Sequence, residues 1–256
     1  MQKTIQVFNR NDLKTIALPV ETKSYKPISH YYLSEKIEKC LNINGFIIKS
    51  EQYISSKNGQ QIWGKLSLSF IDDLNPVFIF GNSYDKSLAF TCYSGIKIES
   101  ENVIMTLCSD YYGRIYRRHT LKSGEEIDKK IENICSNIKN DYRLLNLQKS
   151  KMETFTILRK EILEIISELY FEDFQIISGD NLNFIKKEFK KKGVEESILL
   201  WDLYIIILKS LSHLVTDIFI KKSNELNKYF VNRFYLPNTL IDEEIPEPSS
   251  DIITAY

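Results

Sequence analysis

Metal and disulfide chemistry are the first things this chain lacks. It has only four cysteines, Cys40, Cys92, Cys108 and Cys135, and three histidines, with no C-x-x-C pair and no compact Cys/His cluster. That spacing makes neither a zinc site nor a disulfide framework, and scattered thiols suit a reducing compartment. No metal and no cofactor is expected. An excess of charge is also missing, because 34 basic and 34 acidic residues cancel. No global field therefore points toward nucleic acid or membrane, although a local basic strip is still allowed. Nothing reads as a membrane span, since the longest apolar run, residues 197–208, is broken by Asp202 and falls short of the ~20 residues a bilayer needs. The start, Met1 to Gln6, leads into no apolar core, so no signal peptide and a cytoplasmic location are expected. A P-loop is excluded for want of Gly-x-x-x-x-Gly-Lys. No carboxylate pair has a spacing that suggests hydrolysis or a two-metal site. Glycine (9) and proline (6) are scarce while isoleucine, lysine and asparagine abound, a bias that looks like an AT-rich genome and carries no functional weight.

What is present reads as strands first and helices after, an α+β arrangement. Residues 1–30, with Pro19 and Pro27, read as an extended arm. Ser29 or His30 precedes a helix over 31–42, whose Leu33, Ile37, Cys40 and Leu41 recur at helical spacing before Asn44-Gly45 stops it. From Phe46 the period becomes two. Strands are expected at 46–54, 61–70, 77–80, 87–93, 96–98 and 103–108, with Asn58-Gly59 as a hairpin turn. That is an antiparallel meander of five or six strands. Ser123-Gly124-Glu125-Glu126 resembles a capping box, and Ile127, Ile131, Ile134 and Ile138 begin a long apolar stripe. A short basic helix over 183–192 and a strongly apolar one from Glu195 to about Phe230 complete a helical C-terminal half. The organisation expected is one domain over 31–236, divided at about residue 110 into sheet and helices, with a disordered acidic tail over 237–256.

The order of short motifs carries a resemblance. Trp63-Gly64-Lys65-Leu66, Gly81-Asn82-Ser83-Tyr84-Asp85-Lys86-Ser87, Gly95-Ile96-Lys97-Ile98, Ser100-Glu101-Asn102, Arg118-His119-Thr120 and Leu200-Trp201-Asp202-Leu203-Tyr204 follow one another. This series resembles phage- and plasmid-encoded proteins grouped as domain of unknown function nine-three-two. The resemblance spans residues 31–230 and implies a mobile-element setting, a shared α+β domain and the host cytoplasm, with no established activity. Two departures are plain. Ser100-Glu101-Asn102 stands where the family carries Cys-Asp-Asn or Cys-Ser-Asn, and Ile205 to Leu208 stand where it carries Asn-Ala-x-Thr.

Three clusters are candidates for a site. In the polar stretch Asn82 to Ser87, Lys86 can supply charge and Asn82 and Ser87 hydrogen bonds to an anion, with Asp85 beside them. The competing reading is an Asx turn in which Asp85 caps its own backbone. Arg114, Arg117, Arg118, His119 and Thr120, interleaved with Tyr112 and Tyr116, form the densest cationic cluster. Guanidinium forks beside aromatic rings suit phosphate contact with base stacking on a single strand, against the alternative of a solvated loop. Lys186, Lys187, Lys190, Lys191 and Lys192 read as a solvated helix face ahead of a nucleic-acid contact. Trp201, Leu203, Tyr204, Ile207, Leu208 and Leu211 read as core or subunit interface. The sequence thus favours a non-catalytic binder of single-stranded nucleic acid in mobile-element replication or recombination. The alternatives are an enzyme or binding protein for a small anionic ligand, through Asp85, Lys86 and His119, and an oligomeric assembly protein.

Overall fold

Strand β3 (Gln61–Ser69) sets the architecture, because every second residue is buried along its whole length. Ile62, Gly64, Leu66 and Leu68 enter the core, while Trp63, Lys65 and Ser67 stay half-exposed on the opposite face. A sheet built on such a strand has one closed face and one partly open face. The computed structural model describes residues 6–23, 25–56, 59–69, 75–106, 123–171, 175–214 and 216–239. Six strands pair antiparallel in chain order: β1 (Gln6–Phe8), β2 (Ile47–Ser56), β3, β4 (Asn75–Ser83), β5 (Thr91–Ile98) and β6 (Val103–Thr106). The expected meander is therefore present, followed by a helical half. Its sixth strand comes from the N-terminal segment. The two short strands expected at 87–93 and 96–98 are one strand, and residues 84–90 form a bend before it.

Helix α1 (His30–Ile43) starts at Ser29, whose hydroxyl accepts from the Tyr32 N–H. It ends at Gly45, with φ +82°, where the N–H groups of Gly45 and Phe46 donate to Asn42 O and Leu41 O. The long helix α2 (Ser123–Met152) lays its isoleucine stripe, Ile127, Ile131, Ile134 and Ile138, on the closed face beside α1. Its second half, from Tyr142 to Met152, packs into a separate helical core.

That helical core departs from the expected pattern in two places. The apolar run after α2 contains a short strand, β7 (Thr156–Leu158), ahead of α3 (Arg159–Phe171). It pairs with β8 (Ser197–Leu199), which follows α4 (Gly179–Lys192). The single apolar helix expected from Glu195 is in fact β8, then α5 (Leu200–Leu211) and α6 (Thr216–Arg233). Helix α5 is buried on nearly every side, as its continuous apolar composition requires. Trp201 stacks on Tyr204, and Leu203, Tyr204, Ile207, Leu208 and Leu211 lie in the core. Helix α6 packs on α5 and also reaches the open face, where Ile220 meets Ile79 and Tyr93. Among the described residues no helix is long and apolar enough to cross a membrane.

Candidate functional site

The polar stretch Asn82 to Ser87 begins inside β4, where Asn82 and Ser83 are fully buried. Asn82 faces the closed side, since its register partner Ile62 does. Its Nδ2 donates to Ile28 O at 3.0 Å and to His30 Nδ1 at 2.9 Å. The other nitrogen of His30, Nε2, lies 3.0 Å from Gly59 O and acts as the donor there. Both ring nitrogens are thus used in the neutral tautomer. The imidazole stacks on Tyr84 at 3.7 Å between centroids and 10° between planes. The Tyr84 hydroxyl accepts from the His30 N–H, and the Tyr25 hydroxyl donates to Tyr84 O. This cluster ties residues 25–30 to the end of β4.

Asp85 Oδ1 accepts from the Ser87 N–H at 3.0 Å and from its hydroxyl, an Asx turn. Gln61 Nε2 donates to the Ser87 hydroxyl. Lys86, in the left-handed region at φ +61°, holds its amine 4.3 Å from the centre of the Tyr25 ring. Among the described residues Asn82 and Tyr84 bond to residues 25–30, while Asp85 and Ser87 close a turn beside Gln61.

The Arg114 to Thr120 cluster, with Tyr112 and Tyr116, lies outside the described residues. So do Cys108, Asp110 and Asn58. The lysines of α4 are all exposed, and Lys192 and Lys191 pair with Asp202 and Glu188. The three described cysteines are buried, and burial pushes the Cys92 thiol up to about 12 and raises Cys40 and Cys135 as well. Such thiols are poor nucleophiles. Among the described residues no group of three or more His, Cys, Asp or Glu is placed to hold a metal ion.

A concave feature that joins an aromatic ring to a cation lies elsewhere. A groove of about 200 Å³ runs between the open face of the sheet and the joint of α5 with α6. Ile54, Trp63, Lys65 and Ile79 make its floor, Leu214, Phe219 and Ile220 its far wall, and Asn102 one end. Strand alternation puts Trp63 and Lys65 on this face. Trp63 lies opposite Gly81, and a Cβ built there would sit 2.8 Å from the indole Cζ3. The absent side chain is what lets the ring lie against the strand. At the groove's end the β5–β6 turn puts Asn102 at φ +51°, which asparagine tolerates well. Glu101 in the same turn pairs with Lys209 of α5 at 2.8 Å and ties the turn to the helices.

Lys65 is the unusual group. Among the described residues it has neither a carboxylate partner nor a hydrogen bond. Burial lowers its pKa, Lys97 lowers it further, and Glu99 acts against both. Lys97 is itself paired with Glu99. A half-buried cation without an ion-pair partner costs stability and so invites an anion.

Trp63, Gly64 and Lys65 were visible in the sequence as part of β3, but nothing there marked them as a site. Their opposite wall is supplied more than 140 residues later in the chain, by α6. Of the sequence motifs, only Trp63 to Leu66 and Ser100 to Asn102 reach the groove. No protein family, no curated protein and no solved structure matches this chain.

Proposed function

We propose that the protein binds single-stranded nucleic acid without catalysis, taking one base on Trp63 and the adjoining phosphate on Lys65. The observation that carries this is that Lys65, without an ion-pair partner among the described residues, lines one groove with the half-exposed Trp63. Aromatic platforms next to cations are how single strands are held without sequence readout. Size supports it too. A groove near 200 Å³ falls below the ~300 Å³ of a site for a whole drug-sized ligand, yet has room for one flat ring. Strand β6, whose Ile104 lines the groove, ends at Thr106 and leads directly into the segment that carries Arg114, Arg117 and Arg118. The mobile-element setting implied by the motif order is consistent with this reading.

Fluorescence tests it. A Trp201→Phe variant leaves Trp63 as the single indole, because the chain has two tryptophans. Titration with an oligothymidylate should quench it, with affinity falling as salt rises. Lys65→Gln should weaken binding and reduce the salt slope by about one. An absence of quenching at low salt, with Arg117 and Arg118 intact, overturns the proposal. The small groove also favours a second reading, a free anionic ligand with one ring. In that case a mononucleotide saturates the site and strand length adds no affinity.

A further inference from the structure

We infer that the Lys65 amine is a covalent acceptor for carbonyl compounds that carry a flat ring and an anionic group. The inference concerns the groove on which the proposed function rests, and it adds a reaction to it. Three observations lead to it. Lys65 lines one groove with Trp63 and Ile79, so a planar aldehyde seated there has an apolar surface to lie on. Half-buried Lys36, Lys97 and Lys209 have the carboxylates of Glu132, Glu99 and Glu101, whereas Lys65 has none within ion-pair distance among the described residues. Lys97 stands near enough for its charge to act on Lys65, with Glu99 acting in the opposite sense.

An amine held this way keeps more of its neutral form than a solvated lysine, because apolar walls disfavour the ammonium ion and a like charge disfavours it further. The neutral nitrogen donates its lone pair to the carbonyl carbon, forming a C–N bond. The carbonyl oxygen then departs as water with the two amine protons, leaving an imine. Nothing beyond the aldehyde is consumed. The product is reversible in water and becomes permanent when borohydride delivers hydride to the imine carbon and solvent a proton to nitrogen.

Pyridoxal 5′-phosphate has the required ring, aldehyde and phosphate and serves as the probe. The full-length chain is treated with a substoichiometric amount, reduced with borohydride, digested and mapped by mass spectrometry. Lys65 should carry several-fold more label than Lys160, whose side chain is 90% exposed. Single-stranded oligonucleotide should protect it. Lys65→Arg should lose this label, while Lys160→Arg should leave the Lys65 label unchanged. Label distributed by exposure alone, with Lys65 no higher than Lys160, overturns the inference. Quenching by oligonucleotide without selective labelling removes this inference and leaves the proposed function standing. Selective labelling without oligonucleotide binding does the reverse.

Discussion

Asp141 sits in α2 with its carboxylate buried against β5, where the Ser94 hydroxyl donates to Oδ2 at 2.9 Å. Burial pushes its pKa up to about 7 from an ordinary 3.8, and the serine bond works the other way. The folded chain therefore holds a proton that the unfolded chain has lost, throughout the window between those two values. Stability should rise as pH falls from about 7 toward 4, and above 7 the ionised group carries its full cost. At ~1.4 kcal/mol per pH unit that cost is on the order of 4 kcal/mol at most. Asp141→Asn should stabilise the protein by about 2–3 kcal/mol more at pH 8 than at pH 5, as measured by urea denaturation. A second buried group acts in the opposite sense. Asn82→Ala strands His30 Nδ1 and Ile28 O without their donor, and the loss should be roughly 2–4 kcal/mol. Neither role was legible beforehand. Asp141 is one acid on a charged helix, and Asn82 looked like the first residue of a turn. Both depend on what the opposite element places there.

Within elements, the glycines of β3 and β4 separate stability from the groove. Gly64 faces the core, and an added Cβ would lie 2.3 Å from Cε1 of Phe80. Gly64→Ala should cost about 1–3 kcal/mol by overpacking against Phe80, a loss of stability larger than any change in ligand binding once folding is corrected for. Gly81 faces the groove side, where the clash falls on the indole and on a terminal methyl of Leu88. Gly81→Ala should cost about 1 kcal/mol or less and displace Trp63, so oligonucleotide quenching falls out of proportion to the change in Tm. Circular dichroism alongside fluorescence checks both. Element type was readable in β3 because its alternation is strict, and in α1 because its cap and stop residues are local. The short strands β7 and β8 were not readable. Each is three residues long, and each exists because the other pairs with it across about forty residues of chain.

At the level of the whole molecule, α2 joins the two cores. Its thirty residues span ~45 Å, with the N-terminal half on the sheet and the C-terminal half among the helices. The two tryptophans report these regions separately, Trp63 from the sheet and Trp201 from α5. Unfolding followed in Trp63→Phe and Trp201→Phe variants should give coincident midpoints, because neither core keeps its α2 face when the other melts. Midpoints that differ by more than the cost of the substitutions would mean that the cores unfold independently. Lys139→Pro, placed at the junction of the two stripes, should lower both midpoints together.

By itself the sequence determined the class of structure, since periods of two and then of 3.6 follow from backbone geometry and need no tertiary information. It also marked which face of each long element is apolar. The site was decided only by the tertiary structure. Of the residues that looked most like a binding motif, Asn82 and Tyr84 bond the start of α1 to the end of β4, because a strand end beside a helix start has backbone groups to satisfy. Trp63 and Lys65 looked like the solvated face of an ordinary strand. They became a groove when α6, distant in the chain, came to rest across half of the sheet. Burial and charge pairing depend on neighbours in space, and such neighbours cannot be read along one dimension.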